Sequence, residues 1–375
     1  MADNLTMIPV NEPVLDGNER KYLNECIDTG WISSEGPFIR EFETLFAARV
    51  GRKHGIAVCN GTAALDAALA ALDLSPGDEV IMPTFTIISC ASAISRLGAI
   101  PVVVDCEPDT WNMDVSKVEA RITPRTRAIM VVHLYGLPVD MDPILDIAAR
   151  HKLIIIEDAA EMIGQTYNGK PCGSFGALST FSFYPNKHVT TGEGGMVVTD
   201  DDALAEKCRR LRNLGFGPPR RFVHEELGWN FRMTNLQAAV GLAQLERLDE
   251  FVARKRHIFA KYTELLSGTP GIALPVPEKD FATNINWVYG IVIDDEVAFD
   301  AEQAMERLGK LAIGTRPFFW PMHEQPVYLR MGMFAGESYP NAERIARRGF
   351  YLPSGLALTD AQMERVAAAV REVFA

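Results

Sequence analysis

Between residues 54 and 200, short apolar runs alternate with amphipathic segments: HGIAVC, then TAALDAALAALDL, then DEVIMP, IPVVVD, RAIMVVHL and KLIIIED. A strand that is apolar at successive positions, rather than at alternate ones, has both faces buried, as in a parallel sheet covered by helices on each side. The expected fold class is therefore α/β. At 375 residues and 47% hydrophobic content the chain exceeds one ordinary core, so about two domains are expected. The pattern changes after a long helical stretch from Asn235 to Leu266. Pro-interrupted pieces such as GTPGIALPVPEKD follow, then a strand candidate, NWVYGIVID, and two helical stretches, the last being TDAQMERVAAAVREVF. This places a large α/β domain over 1–250 and a smaller C-terminal α+β domain over 251–375.

The charge balance narrows the possible partners. With 37 Lys and Arg against 49 Asp and Glu, the formal net charge is −12, which opposes nonspecific attraction to nucleic acid or to anionic membrane. The segment RKRHIFAK reads as a charged helix face, not a nucleic-acid patch. Cysteines 26, 59, 90, 106, 172 and 208 form no C-x-x-C pair and no Cys/His spacing suited to zinc, so free thiols in a reducing compartment and no metal are expected. MADNLTMIPVNEP lacks a basic region followed by an apolar run, and no stretch is apolar enough to span a bilayer. The expectation is a cytoplasmic protein.

The segment FSFYPNKHVTTGEGG sets Lys187 between an aromatic strand and the glycines 192, 194 and 195. A P-loop needs its glycines before the lysine, so that reading fails. A solvated lysine fits poorly behind Phe181, Phe183, Tyr184 and Pro185. The remaining reading is a Schiff-base lysine, its amine made nucleophilic by desolvation. Pyridoxal phosphate then also requires a carboxylate for the pyridine nitrogen, phosphate donors and a group covering the ring. Asp158, ending the run KLIIIED, stands where ligands of open α/β sheets gather; capping of a following helix is the competing reading. Asn60, Gly61 and Thr62 open a helix and offer amides and a hydroxyl to an anion, with a plain N-cap as the alternative, and Ser182 adds a hydroxyl.

The order of NGTAAL, VVHLYG, IIIEDAAE, TFSFYPNKHVTTGEGGMVVTDD and GWNFRMTNLQAAVGLAQLERLDE resembles that of the DegT/DnrJ/EryC1/StrS group of pyridoxal-phosphate-dependent nucleotide-sugar aminotransferases. The likeness runs from about residue 8 to the C-terminus. It implies the type I aminotransferase fold and a homodimer. Within the group the chain looks most like members that aminate C4 of GDP-4-keto-6-deoxymannose, with glutamate as donor and 2-oxoglutarate as co-product. The implied setting is cytoplasmic synthesis of sugars for polysaccharides such as the O-antigen.

Carried over residue by residue, Lys187 matches the lysine that forms the internal aldimine and Asp158 the partner of the pyridine nitrogen. Glu161 lies near the cofactor's phenolic oxygen, and Gly61, Thr62 and Ser182 match phosphate ligands. Asn230 matches an asparagine that reaches the neighbouring subunit's cofactor phosphate. Trp31, Ser34, Arg232, Arg316 and His323 fall in segments that line the sugar-nucleotide site.

Two features depart from the pattern. Where the group stacks an aromatic on the ring, PTFTII offers Ile87, so an aliphatic side chain or the nearby Phe85 covers it. Some relatives that dehydrate sugars carry histidine in place of the lysine; here Lys187 is present and His188 follows it, which favours transamination. His133 is expected to pack at a strand end. The competing enzyme reading is a 3- or 4-aminotransferase for a dTDP- or UDP-linked keto sugar. A non-catalytic sensor that keeps the fold is the competing class, and it would need neither Lys187 nor Asp158.

Overall fold

The computed structural model describes residues 6–217, 220 and 222–375, so the first five residues of the N-terminal stretch lie outside the described residues. A seven-stranded sheet organises the first part of the chain. Its strands are β1 (His54–Val58), β2 (Glu79–Pro83), β3 (Ile100–Val104), β4 (Thr126–Val132), β5 (Ile154–Asp158), β6 (Leu178–Ser182) and β7 (Gly195–Thr199), in the spatial order β1-β7-β6-β5-β4-β2-β3. Neighbouring strands from β6 through β5, β4 and β2 to β3 pair in parallel. The exception is β7, antiparallel to both β1 and β6. The expected α/β class holds.

The sequence order explains that exception. β6 returns directly as β7 through the segment 183–194, and a direct return without a helical crossover gives an antiparallel pair. That return carries Lys187. Its neck is closed by Phe183 N–H to Gly194 O (2.8 Å) and Thr191 N–H to Phe183 O (2.9 Å). Its base is anchored by aromatic rings. Phe46, from the helix Pro37–Arg49, meets Phe181 edge-on at 4.8 Å and Phe183 at 5.1 Å, and Phe42 lies 5.0 Å from Phe183. All four rings are fully buried.

The second unit is built on a smaller antiparallel sheet. Its strand order is Ile272–Ala273, Tyr289–Ile293, Gly349–Leu352 and Arg316–Pro317. Ile258 and Tyr262 from the helix Leu248–Leu266, with Val366 and Val370 from the helix Asp360–Phe374, cover it. Ile8 joins this core through Ile8 N–H to Ala312 O and Gly314 N–H to Ile8 O, so the chain's start packs with its C-terminal part. Another core is shared: Trp287, Phe318 and Met322 pack with Phe85, Val132 and Tyr135 of the large unit.

The long helix expected over 235–266 is two helices, Asn235–Leu245 and Leu248–Leu266. The first is started by a capping box between Thr234 and Gln237. The break at Glu246 and Arg247 is held by tertiary contacts: Gln244 donates to Val14 O, Arg247 pairs with Asp16 and Glu250, and Glu246 accepts from Asn18. Among the described residues no helix is long and apolar enough to cross a membrane, and the six cysteines are free thiols.

Deleting a large buried ring leaves a cavity that costs about 3–5 kcal/mol. Phe46→Ala is therefore expected to lower the urea denaturation midpoint by a corresponding amount; a loss below about 1 kcal/mol would contradict the anchoring role given to this cluster.

Candidate active site

The carboxyl ends of the parallel strands open into a cavity of about 650 Å³. Its walls hold Gly61 and Thr62 after β1, Ile87 after β2, Asp158 at the end of β5 and Glu161 after it, Ser182 at the end of β6 and Lys187 in the return to β7. Seven residues singled out from the sequence thus meet on one surface.

The anion-binding corner starts with Asn60, the N-cap of the helix Gly61–Ala70. Its side-chain oxygen accepts from Ala63 N–H at 2.8 Å, so the N-cap reading is correct, and it coexists with a place on the cavity wall. Asn60 O takes Ala64 N–H, leaving the amides of Gly61 and Thr62 ahead of the first helical bonds. Glycine is required at 61 because an added Cβ would stand 2.8 Å from Ser182 Cβ. That close approach brings the helix N-terminus, the Ser182 hydroxyl and Thr62 together, with Thr62 Oγ1 2.9 Å from Ser89 Oγ. Donors at a helix start form a fitting cradle for a phosphate.

Asp158 does not cap a helix, since a turn follows β5. Its Oδ1 accepts from Ala160 N–H at 3.1 Å and its Oδ2 from the Cys90 thiol at 3.2 Å. The carboxylate is 3% exposed, and among the described residues it forms no salt bridge with a cation. Burial raises its pKa against those hydrogen bonds and the charge of Lys187. A buried carboxylate without an ion-pair partner is matched by a protonated ring nitrogen, so the residues present fit the pyridine of pyridoxal phosphate.

Lys187 Nζ lies 3.6 Å from Glu161 Oε1 and 3.8 Å from the centre of the Trp287 ring. Burial depresses its pKa, and the attraction of Glu161 and Asp158 only partly offsets this. Glu161 receives Tyr135 N–H at 2.7 Å on its other oxygen. Its own pKa is pushed up to about 7, chiefly by burial. An amine that sheds its proton easily stands beside a carboxyl poised near neutrality.

Of the two side chains considered for covering a ring, Ile87 lies on the cavity wall. Phe85 is buried beneath it against Tyr135, Phe318 and Phe319, and is not part of the lining. His133 is a core residue, as expected: Nδ1 accepts from Val139 N–H and Nε2 donates to Glu157 at 3.1 Å.

The remaining candidates lie apart. Ser34 and Arg232 line a separate hollow of about 560 Å³, where Arg232 bonds Asn213. Arg316 lies in a side hollow of about 320 Å³ that shares Tyr184, Asn186 and Tyr351 with the main cavity. Trp31 is half-exposed, its carbonyl held by Asn235. Asn230 is exposed and outside the cavity, bridged to Asn213. His323 is not brought to the cavity. It is buried, with Nδ1 2.8 Å from Thr84 Oγ1 and Nε2 3.1 Å from Glu343, and it ties the segment around 322 to the end of β2.

Sequence reasoning missed Ser89, Glu193, Trp287 and Tyr351 on the cavity wall. Trp287 sat inside a strand candidate, where only its aromatic bulk marked it.

The sequence profile of the DegT/DnrJ/EryC1/StrS aminotransferase family matches residues 13–371. The chain is 47% identical over 380 aligned positions to the GDP-perosamine synthase of Caulobacter vibrioides, covering all of both chains. It is similar in structure to DesI, solved with its TDP-sugar product, with a TM-score of 0.89, 34% identity and coverage of 99% of this chain and 93% of that one. It is also similar to the PLP form of a putative sugar aminotransferase, Spr1654, from Streptococcus pneumoniae. There the TM-score is 0.91 and the identity 25%, with 98% of each chain covered.

The raised pKa of Glu161 fixes the sign of a pH effect. Below its ordinary value of 4.5 both folded and unfolded chains hold the proton, and between 4.5 and about 7 the unfolded chain releases it first. Folding therefore loses stability with rising pH across that window, by on the order of 3 kcal/mol when complete. Glu161→Gln in the cofactor-free protein is expected to gain stability relative to the parent from pH 4.5 to 7 in urea titrations; parallel pH profiles would contradict the assignment.

Proposed function

The chain belongs to the DegT/DnrJ/EryC1/StrS aminotransferase family, and from that premise we propose that it transfers an amino group from glutamate to C4 of GDP-4-keto-6-deoxymannose, giving GDP-perosamine. The observation that carries this reading is the end-to-end 47% identity to a GDP-perosamine synthase. Lys187, largely withdrawn from solvent, and the buried Asp158 and Glu161 around one cavity support it.

Pyridoxal phosphate, when bound, supplies an electron sink and a carbonyl that relays the amino group from donor to acceptor. Lys187 would hold it through Nζ, Asp158 at the ring nitrogen and Glu161 near the phenolic oxygen. Gly61, Thr62 and Ser182 would hold the phosphate, joined by Asn230 of the partner subunit in a homodimer. Ile87 would cover one face of the ring.

The chain's own groups then divide the proton work. Asp158, kept from solvent, would stand as a carboxylate at the ring nitrogen and favour that nitrogen's protonated form. Lys187 Nζ, its proton affinity lowered by burial, would be the base that takes up and returns a proton at the reacting carbon atoms. Glu161, poised near neutrality, holds or yields a proton 3.6 Å from that amine. Asp158 and Glu161 are buried and the Lys187 side chain is only 10% exposed, which limits exchange of these protons with water. Arg316, in the side hollow that shares Tyr184, Asn186 and Tyr351 with the cavity, is proposed to contact the nucleotide sugar, and Ser34, Trp31 and Arg232, which lie apart from that cavity, are proposed to line a more distant part of the same ligand's path. The reaction belongs in the cytoplasm, where nucleotide sugars are made. The division between the cofactor-binding unit and the smaller one is placed near residue 250, at the start of the helix Leu248–Leu266, with Ile8 joining the smaller unit's core.

The enzyme incubated with glutamate and GDP-4-keto-6-deoxymannose, or with dTDP- and UDP-linked 4-keto sugars, is expected to aminate the GDP sugar at C4, identified by mass spectrometry and NMR. Faster turnover of a dTDP sugar would favour the assignment suggested by the TDP-sugar neighbour. Lys187→Ala is expected to abolish both turnover and the visible absorbance of bound cofactor; a variant that keeps both would refute the role of Lys187. Mixing inactive Lys187→Ala and Asn230→Ala chains is expected to restore part of the activity, because one site per mixed dimer then has both residues intact. No recovery in proven mixed dimers would remove Asn230 from the partner's site.

A further inference from the structure

Lys255 is 1% exposed, although it lies in a stretch of sequence crowded with basic residues. Its ammonium donates to two main-chain carbonyls, Trp287 O at 2.8 Å and Ser354 O at 2.7 Å. Among the described residues no carboxylate pairs with it. An ammonium removed from water without a counter-ion is costly, and a methionine or leucine would satisfy the packing of that helix face without the cost. Lys255 therefore has a use beyond filling space.

The contact with Trp287 indicates that use. The face of the Trp287 ring lies 3.8 Å from Lys187 Nζ. Its indole N–H donates to Asn186 O at 2.9 Å, the carbonyl immediately preceding Lys187. One residue thus touches the amine through its ring, the backbone of the Lys187 turn through its ring nitrogen, and Lys255 through its carbonyl. His188, the other neighbour of Lys187, is fully buried, and its pKa falls to about 3 through burial and then the charge of Lys255.

We propose that Lys255 is a positioning residue for Lys187: it clamps the Trp287 main chain so that the indole ring and the turn 184–187 stay in register, and it sets a second positive charge behind the Lys187 amine. The proposal rests on the reading of Lys187 as the cofactor lysine.

The groups around that amine have opposing effects. Glu161 and Asp158 attract its proton, while Lys255 repels it. His188 is neutral, and Glu193, Tyr184 and Tyr351 stand farther along the cavity wall, with the Arg96–Asp66 pair at its rim. Burial and Lys187 push Lys255 itself down to about 7. The two amines therefore titrate as a coupled pair. Protonated, Lys255 disfavours a proton on Lys187; neutral, it exerts no such repulsion.

The test is a pH titration of the holoenzyme's visible absorbance, which reports protonation of the Lys187 nitrogen, in the parent, Lys255→Met and Lys255→Arg. Removing a charge in a buried site is expected to move the midpoint upward by about one pH unit in Lys255→Met. Lys255→Arg, which stays charged, is expected to keep the parent midpoint or lower it. A folded Lys255→Met whose midpoint matches the parent's overturns the proposal, even if its melting temperature falls, because that result leaves only a structural role. If Lys255→Met does not fold, Lys255→Gln gives the same decision. A parent without cofactor absorbance, or one whose absorbance survives Lys187→Ala, sinks the underlying reading instead and is distinguishable from an unmoved midpoint.

Discussion

The structure depends on taking one ammonium group out of water. Lys187 has two carboxylates within electrostatic reach, and in solution they would hold its proton firmly. In the cavity burial outweighs them and its pKa falls. The same burial raises Asp158 and Glu161. Desolvation therefore draws the proton affinities of base and acids toward one another from opposite sides, which is the condition for moving protons near neutral pH. The arrangement survives because the polar atoms retain specific partners: Tyr135 N–H on Glu161, and Ala160 N–H and the Cys90 thiol on Asp158.

The sheet supplies the rigidity that this balance needs. Parallel strands end on the same side, so Asp158 and Ser182 face one opening although a whole connection separates them in sequence. The direct antiparallel return from β6 to β7 then folds the Lys187 turn back over that opening, and the aromatic cluster of Phe42, Phe46, Phe181 and Phe183 fixes its base. Glycine at 195 lets β7 pass the helix start, since a Cβ there would stand 2.5 Å from Asn60 O. Packing and hydrogen bonding thus converge on the same few ångströms from different elements.

What the sequence revealed was local. Lys187, Asp158, Gly61, Thr62 and Ser182 each lie beside a strand end or a helix start, where composition alone points to a turn with exposed polar groups, and the parallel-sheet rule brings those ends together. The hidden residues act across the seam between the two units. Trp287 enters the cavity from the C-terminal unit through packing with Tyr135, and nothing near it in the sequence records that contact. His323 illustrates the reverse: a polar residue in a suggestive segment is spent joining Thr84 to Glu343. In the sequence Lys255 reads as part of a charged face because its neighbours Arg254 and Arg256 are basic. Yet it falls on the stripe of Phe251, Ile258, Phe259 and Tyr262, all buried on one side of the helix. A lysine at such a stripe position was visible in the sequence, and helical periodicity was the signal that marked it.

Ile87 shows how local stability yields to the site. It is the N-cap of the helix Ile88–Arg96 and makes no side-chain cap bond, where serine or aspartate would add about 1 kcal/mol. It is also 42% exposed, an unfavourable place for an apolar side chain of this size. Both penalties fall at one residue on the wall of the cavity that holds Lys187. On the proposed reading a flat ring lying against it would remove the second penalty by covering the aliphatic surface, whereas a capping serine would present a hydroxyl to the ring face. The hydrophobic gain of an aliphatic cover is nondirectional, so orientation of the ring falls to its edges, where Asp158 and the donors of the phosphate corner are directional. In that reading Ile87 would shift the task of holding the ring from its face to its perimeter.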